Sequence, residues 1–414
     1  MLPIDAEIAS IKIGDFCPSR IMGVINLSEE SFYKGSIVRA EQVAEIATKM
    51  VEGGADMLDV GARSTAPGVK PISVEEEEKR LFPALRNVLD AVDVPVSVDT
   101  QYADIAEKVL RMGTHIINDI SGLKTDPNMV NVISDFDVPV VLMASKKKPG
   151  DCLTFQEIKT SLIDSITLAE KSGIDKIIVD PGIGRWTSEK TYEFNLAIIN
   201  DLERLRALER PVLVAISRKS FIGDVLGIEN PYDRLAGTLA CTAIAVYKGA
   251  HIIRTHDVRE TKDIIRMAEA VRGRQITGER KNYQAIIIDY VKKPEDSIEL
   301  MRSINVTDTG ADIMKNKTVS KLILLQNVAA PEALIIKQEM LARGGDAATS
   351  REAILGEKNP VDVLIIGTVA QIQSLIHKLR MQALNLPQIG DLLEELMEKE
   401  DDLNYRYSRV EKRM

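Results

Sequence analysis

Five apolar runs before residue 260 end in residues that could do chemistry. The polar residues at their ends are Asp99, Asn118, Asp180, Lys219 and the pair Arg254 and His256. In a barrel of parallel strands the carboxyl ends of all strands meet at one mouth, where such barrels carry their active sites. The positions of these residues therefore predict a single polar site built by several strands.

Asp99, Asn118 and Asp180 supply two carboxylates and one amide. A carboxylate can accept two N–H bonds from a guanidine-like edge, and an amide both donates and accepts. This set suits a flat, nitrogen-rich heterocycle. Each residue alone could equally cap a helix or satisfy a buried backbone group. Their equivalent positions after three different strands favour the binding site.

A second group is mainly cationic. Lys219 and Ser220 follow the seventh predicted strand, Arg254 and His256 follow the eighth, and Asn26 follows the first. The last two loops of a TIM barrel often bind a phosphate group, so these residues predict an anion site. A lone lysine is usually solvated and a lone histidine is usually structural. It is the shared position at the mouth that favours a functional role.

Glycines indicate where the strands begin. Gly54, Gly113, Gly173 and Gly249 each separate a helical pattern from an apolar run, and glycine accepts the positive φ needed just past a helix end. The predicted strands are 20–26, 55–61, 94–99, 114–119, 138–143, 175–181, 211–217 and 250–255. Eight such strands with helices between them predict a (β/α)8 TIM barrel. A doubly wound open sheet is the alternative, but no GxGxxG motif follows the first strand.

The pattern changes after the eighth helix, which predicts a second domain. We expect a barrel at 1–273, a polar linker at 274–283 and a smaller C-terminal α/β domain at 284–414. Strands of this last domain are predicted at 285–290, 321–328 and 361–369. The segment before residue 20 is expected to form a small hairpin that closes the barrel floor.

Composition restricts the class of protein. The formal net charge of −9 disfavours non-specific nucleic-acid binding. The three cysteines are scattered and lack CxxC spacing, so neither a disulfide framework nor a zinc site is indicated. The N-terminus is acidic where a signal peptide is basic, and no apolar run reaches the roughly 18 residues of a membrane span. We therefore expect a cytoplasmic protein that binds neither membranes nor nucleic acid.

Eight motifs follow one another along the chain: IMGVINLSEESF, DVGARSTAPG, SVDT, INDISG, DPGIG, SRKSFIG, RLAGTLA and RTHD. Together they resemble the dihydropteroate synthase family of pterin-binding TIM barrels. One such block is weak evidence, but the ordered set is specific. The resemblance implies a transferase that condenses 6-hydroxymethyl-7,8-dihydropterin diphosphate with an arylamine and releases diphosphate. The arylamine would be p-aminobenzoate in folate synthesis or a ribosylated aminobenzene phosphate in methanopterin synthesis.

The resemblance also implies which residues hold the pterin. Asp99, Asn118 and Asp180, called the pterin floor below, match the family residues that bind the ring. Lys219 matches the lysine that contacts the pterin and takes part in catalysis. Met143 would pack on the face of the ring.

Three further residues, Asn26, Arg254 and His256, are called the anion rim below. In the family they bind the diphosphate and act in catalysis, and the asparagine also contacts Mg²⁺, the implied cofactor. Thr65 and Ser220 would lie towards the arylamine. A homodimer formed through barrel helices is implied as well.

Departures from the family pattern fall on the amine side. Glu30 stands where aspartate is usual, Arg63 where glutamate is usual, and Arg185 where an aromatic residue is common. One hypothesis is that the arylamine is bulkier or phosphorylated and that Arg63 or Arg185 meets its extra charge. Equally, both arginines could be exposed loop residues.

Two other functions stay open from the sequence. Methyltetrahydropterin methyltransferases share the acid and amide set, but they transfer a methyl group to a corrinoid protein and need no diphosphate site. A non-catalytic pterin-binding protein is the other possibility. Lys219, Arg254 and His256 favour the synthase.

Overall fold

The computed structural model describes residues 4–27, 42–63, 72–273, 276–281, 283–355 and 359–400. The chain divides into two compact units, of which the first ends at Ile287 and the second begins at Ile288. Within the described residues, every helix is too short or too polar to span a membrane.

A barrel of eight parallel strands forms the first unit, which confirms the predicted fold. After a hairpin of β1 (Asp5–Ile8) and β2 (Ile11–Gly14), the barrel strands are β3 (Arg20–Asn26), β4 (Met57–Gly61), β5 (Val96–Asp99), β6 (Ile116–Asp119), β7 (Val140–Met143), β8 (Ile177–Asp180), β9 (Leu213–Ala215) and β10 (Ile252–Thr255). Their order is β8-β7-β6-β5-β4-β3-β10-β9. A parallel bridge between Val179 and Val212 joins the two ends and closes the barrel.

Helices alternate with the strands, as expected for a TIM barrel. They are α1 (Val43–Gly53), α2 (Val74–Ala91), α3 (Ala103–Met112), α4 (Met129–Phe136), α5 (Phe155–Lys171), α6 (Tyr192–Asn200), α7 (Ser220–Leu226), α8 (Leu235–Tyr247) and α9 (Val258–Arg272), with 3-10 turns at Leu202–Leu208 and Pro231–Arg234. Gly54 and Gly113 end α1 and α3 with φ near 108° and 107°. Apart from β3, each barrel strand begins two residues later than predicted.

Along several strands the inward-facing residues change from apolar to polar within one step of two residues. Ile116 and Ile178 belong to the buried apolar cluster of the lower barrel. Two residues further on, Asn118 and Asp180 line a cavity above that cluster. Because side chains of a strand alternate between the two faces, this spacing aims both sets inward.

The predicted hairpin closes the floor of the barrel. Ile8 and Ile13 are fully buried and pack in one cluster with the lowest inward residues of the strands, among them Met22, Met57, Val141, Leu213 and Ile252. Asp15, just after the hairpin, pairs with Arg206 at 2.8 Å and lies 3.5 Å from His251. The site at the opposite end therefore stands on a closed base.

The second unit is an α/β structure with its own core. Its helices are α10 (Asp296–Ser303), α11 (Asp308–Met314), α12 (Ala330–Ala342), α13 (Arg351–Leu355), α14 (Val369–Leu379) and α15 (Leu386–Lys399), and its sheet contains β13 (Ser320–Val328), β14 (Asp346–Thr349) and β15 (Val361–Thr368). β15 lies between the other two strands and is antiparallel to both. Ile336, Val363 and Leu375 lie in its buried apolar cluster.

Two expectations for the region after the barrel need correction. The predicted linker contains a strand, β11 (Thr277–Arg280), which pairs with β12 (Tyr283–Ile286) as an antiparallel hairpin. The run 285–290 therefore supplies only the end of that hairpin and no strand of the C-terminal sheet. The third strand of that sheet is β14, whose DAAT sequence has little strand propensity and is held by pairing with β15.

Candidate functional site

A cavity of about 520 Å³ lies at the mouth of the barrel and collects most of the predicted site residues. Those that line it are Asn26, Arg63, Asp99, Asn118, Met143, Asp180, Arg185, Lys219, Ser220, Arg254 and His256. Glu30 and Thr65 lie outside the described residues. The strand ends thus come together as the sequence predicts.

Strand register sets part of this arrangement. Asn26, Gly61, Asp99 and Asn118 are successive partners across four neighbouring strands, so they form one row around the mouth. A Cβ at Gly61 would lie 3.3 Å from the Cβ of Asp99. Glycine therefore leaves room for the carboxylate beside it.

The acids of the pterin floor have perturbed pKa values. Burial raises the pKa of Asp99 to about 7; Arg254 acts to lower it, whereas Asp59, Glu77 and Asp119 raise it. Asp99 can therefore change its charge near neutral pH.

Asp180 is set by similar forces. Burial raises the pKa of Asp180, whereas Lys219 lowers it and so does the backbone N–H of Gly182, which donates to Asp180 Oδ1 at 2.7 Å. The ring nitrogens of a bound heterocycle would supply further donors to both acids.

Lys219 lies beside the segment that follows β8. Its Nζ donates to the carbonyl oxygen of Ile183 and is 5.6 Å from the centre of the Trp186 ring. Burial lowers the pKa of Lys219 to about 8, although Asp180 raises it. At neutral pH most Lys219 side chains are therefore charged.

His256 contributes a hydrogen-bonding group and little charge. Burial, together with the nearby charge of Arg254, lowers the pKa of His256 to about 4. Its Nδ1 lies 2.9 Å from Ser217 Oγ. At neutral pH His256 therefore adds little positive charge beside Arg254 and Lys219.

Asp59, on β4, was missed by the sequence reasoning. Its Oδ2 accepts a hydrogen bond from Arg254 Nε at 2.7 Å, and Arg254 Nη2 also contacts Asp99 Oδ2 at 3.2 Å. The sequence does contain a signal for Asp59. It lies two positions after Met57 of the lower apolar cluster, just as Asn118 lies two positions after Ile116. Because β4 continues to Gly61, Asp59 does not stand at the end of its strand and is overlooked when only strand ends are considered.

The two arginines on the amine side differ in their surroundings. Arg63 is 8% exposed, pairs with the buried Glu77 at 2.9 Å and lies 4.8 Å from the ring centre of Tyr102. Arg185 is exposed at the cavity. The charge of Arg63 is therefore already countered within the protein, which leaves Arg185 as the better-placed arginine for an anionic substrate.

Trp186 lies at the same side of the cavity. Its Nε1 donates to the Gly182 carbonyl oxygen at 3.0 Å, and the same oxygen accepts from the fully buried Lys190 at 2.7 Å. The indole packs directly on Gly150, in the loop after β7. These contacts join the loops that follow β7 and β8.

The described residues could hold a magnesium ion together with oxygens of a substrate. Asn26 lines the cavity and offers a hard oxygen ligand, which Mg²⁺ prefers. Among the described residues no group of three His, Cys, Asp or Glu side chains could hold a metal. Mg²⁺ commonly binds through one or two protein groups plus substrate phosphates, and this arrangement agrees with that pattern.

Sequence comparison shows the family. The model described as "Pterin binding enzyme" matches residues 22–256, more than half of the chain. This chain therefore belongs to the pterin-binding enzyme family. The dihydropteroate synthase of Bacillus subtilis (strain 168) is 37% identical over 254 residues, which are 61% of this chain and 88% of that protein.

Solved structures agree with this family. Dihydropteroate synthase from Coxiella burnetii, in complex with pteroic acid, is 35% identical to this chain, with a TM-score of 0.59. The match covers 65% of this chain and 98% of that structure's chain. The enzyme from Thermus thermophilus, in complex with 4-aminobenzoate, is 35% identical with a TM-score of 0.56 and covers 64% and 99%. This chain is accordingly an enzyme of the transferase class.

Proposed function

We propose that this chain condenses 6-hydroxymethyl-7,8-dihydropterin diphosphate with an arylamine and releases diphosphate, as a step of folate synthesis. The observation that carries the proposal is that a single cavity joins the pterin floor to the cationic groups of Lys219 and Arg254. A pterin diphosphate has a nitrogen-rich ring at one end and an anion at the other, so both ends find partners there. Its relatives with the name dihydropteroate synthase support the same reaction.

The pterin floor would bind and orient the ring. The carboxylates of Asp99 and Asp180 accept its N–H groups, and the Asn118 amide pairs with a neighbouring ring position. Met143 packs its flexible thioether against the ring face. This orientation directs the methylene carbon and its diphosphate towards the anion rim.

The reaction breaks the bond between the methylene carbon and the bridging oxygen, and the electron pair leaves with the diphosphate. Arg254 and Lys219 stabilise that developing charge, and neutral His256 donates a hydrogen bond. The pterin ring delocalises the positive charge on the carbon. The neutral aniline nitrogen then attacks, a carbon–nitrogen bond forms, and the surplus proton passes to solvent. Neither a covalent enzyme intermediate nor a strong base is required.

Magnesium is part of the proposal. Asn26 would hold the ion together with diphosphate oxygens. When bound, Mg²⁺ supplies positive charge that stabilises the departing diphosphate. Titration calorimetry should find Mg²⁺ binding only when inorganic diphosphate is present, and Asn26→Ala should weaken it.

Diphosphate release by the purified chain tests the proposed function. Release that requires both a pterin diphosphate and an arylamine supports the synthase, and Lys219→Met should lower it at least about 100-fold. Methyl transfer to a corrinoid protein without diphosphate release would assign the methyltransferase instead. Pterin binding with neither reaction would leave a non-catalytic binding protein.

The proposed arylamine is p-aminobenzoate. Arg185 favours a second candidate, a ribosylated aminobenzene phosphate, because it is an exposed cation at the cavity. Turnover of both amines should be compared in the wild type and in Arg185→Ala. If the wild type prefers p-aminobenzoate and Arg185→Ala has the same preference, the phosphorylated amine is excluded as the substrate. If the wild type prefers the phosphorylated amine and Arg185→Ala loses this preference, the phosphorylated amine is established as the substrate.

We further propose a cytoplasmic homodimer formed through the barrel helices. Exposed apolar side chains stand on α8 and α9, namely Ile244, Tyr247, Met267 and Val271, and apolar patches of this kind mark interfaces. Cys17, Cys152 and Cys241 are free thiols, as is usual in a reducing compartment. Sedimentation velocity should give a dimer, and Ile244→Glu should shift it to a monomer.

A further inference from the structure

Asp59 lies one layer below the cavity. Its side chain is fully buried, and strand register places it opposite Val24 on β3 and Ser97 on β5. Asp59 is not among the residues that line the cavity. Any effect of Asp59 on a bound substrate must therefore pass through other side chains.

One oxygen of Asp59 holds two residues that do line the cavity. Oδ2 accepts from Arg254 Nε at 2.7 Å and from Asn118 Nδ2 at 3.2 Å, and Arg254 Nη2 also lies 2.7 Å from it. Arg254 belongs to the anion rim and Asn118 to the pterin floor. A single buried carboxylate oxygen therefore connects the two halves of the site.

The other oxygen of Asp59 is poorly satisfied. Oδ1 is buried and has no hydrogen-bond partner among the described residues. An unpaired buried acceptor lowers stability, because its hydration is lost without replacement. A role confined to stability would be better served by an apolar residue, whereas fixing the direction of a guanidinium and an amide needs this carboxylate.

We propose that Asp59 is a positioning residue that holds the Arg254 guanidinium and the Asn118 amide in the orientation that a pterin diphosphate requires. The proposal rests on the proposed function. It assigns to Asp59 no contact with the substrate.

The test compares Asp59→Asn with Ser97→Ala. Asparagine keeps the shape of the side chain but loses its charge, so the hydrogen bonds to Arg254 and Asn118 should weaken together. Ser97→Ala is the control, because Ser97 Oγ is a neighbouring buried group without a hydrogen-bond partner among the described residues. Binding of inorganic diphosphate and of 6-hydroxymethylpterin is measured separately by titration calorimetry. In Asp59→Asn both affinities should fall about tenfold or more, while Ser97→Ala should change neither by more than about twofold.

A pH profile separates positioning from a structural role. Asp59 is one of the groups that raise the pKa of Asp99, together with Glu77 and Asp119 and against Arg254. As pH decreases, protonation of Asp99 should weaken pterin binding, and Asp59→Asn should move this loss of affinity to lower pH. Asp59→Glu keeps the charge but displaces the oxygen. It should weaken binding and leave the pH at which affinity is lost unchanged.

Unchanged affinities in Asp59→Asn would overturn the proposal, and so would a loss of diphosphate binding alone with normal pterin binding. Failure of both Asp59 variants to fold, with Ser97→Ala folded, would assign Asp59 to the core and overturn it as well. If the wild type binds both ligands but releases no diphosphate with any arylamine, the proposed function is wrong. The binding measurements on the Asp59 variants would still test the positioning role of Asp59.

Discussion

The charge of Asp99 depends on residues from four other elements. Burial raises its pKa to about 7, and the charges of Arg254 on β10, Asp59 on β4, Glu77 on α2 and Asp119 on β6 act on it. A protonated carboxyl is a weaker acceptor of N–H bonds than a carboxylate. The acid therefore makes ligand binding sensitive to pH near neutrality.

We predict that affinity for 6-hydroxymethylpterin falls as pH drops below about 7. The raised pKa means that the charged form of Asp99 exists mainly above this pH, and the accepting carboxylate is lost as pH decreases through it. The dissociation constant should be measured by calorimetry from about pH 5 to 7.5, with a ligand that lacks phosphate groups so that no phosphate ionisation overlaps the titration of Asp99. Asp99→Asn should remove most of the dependence; an unchanged profile in that variant would assign the titration to another group.

A second prediction concerns the two arginines of the amine side. Arg63→Ala should destabilise the protein by about 3–5 kcal/mol, because it leaves the buried Glu77 without its ion-pair partner. Arg185→Ala, at an exposed position, should stay within about 0.5 kcal/mol of the wild type. Urea unfolding measures both. If Arg63→Ala unfolds like the wild type and instead raises the KM for the arylamine, Arg63 is a substrate ligand.

Among the elements, the loops after β7 and β8 are joined by close packing. Gly150 has a φ of 68°, and a Cβ there would overlap Cγ of Trp186. Lys190 Nζ donates to Gly182 at 2.7 Å and lies 3.4 Å from the Gly150 carbonyl oxygen. The position of Trp186, the only tryptophan in the chain, is therefore tied to the loop after β7.

We predict that Gly150→Ala displaces Trp186 and shifts its fluorescence to longer wavelength. Gly173→Ala is the matched control, since Gly173 has a φ of 80° but no atom within 4 Å of an added Cβ. The free energy of unfolding of the control should decrease by only about 1–2 kcal/mol, which is the cost of an alanine in the left-handed backbone conformation. Its fluorescence emission should not change. Equal losses of stability in the two variants, with no spectral change, would show that the indole is not held by Gly150.

At the scale of the whole molecule, each unit has a separate apolar core. Ile8 and Ile252 belong to the buried cluster of the barrel, and Val363 and Leu393 belong to that of the second unit. Clusters of this kind are what allow domains to fold independently.

We predict that residues 1–287 fold without the rest of the chain. Because the cavity residues all precede residue 257, this fragment should bind inorganic diphosphate within about threefold of the full chain. Circular dichroism and calorimetry measure folding and binding. Aggregation of the fragment, or binding weaker by more than tenfold, would mean that the C-terminal unit supports the barrel.

The sequence alone determined the barrel and most of the residues at its mouth. Its signals are local: the alternation that leads from Ile116 to Asn118, and the glycine at a helix end before a strand, are read within a few residues. Motif order then indicated the family. The strand β14 could not be predicted in this way. Its DAAT sequence has little strand propensity of its own and forms a strand because it pairs with β15.

Only the tertiary structure decided how the site residues act on one another. Asp59 and Arg254 are 195 residues apart in sequence and share a hydrogen bond. Arg63 is neutralised by Glu77 from α2, and burial among charges from several strands sets the pKa values of Asp99 and His256. Burial and Coulomb interactions depend on distance in space, so the sequence could name the polar residues but could not assign their partners or their charges.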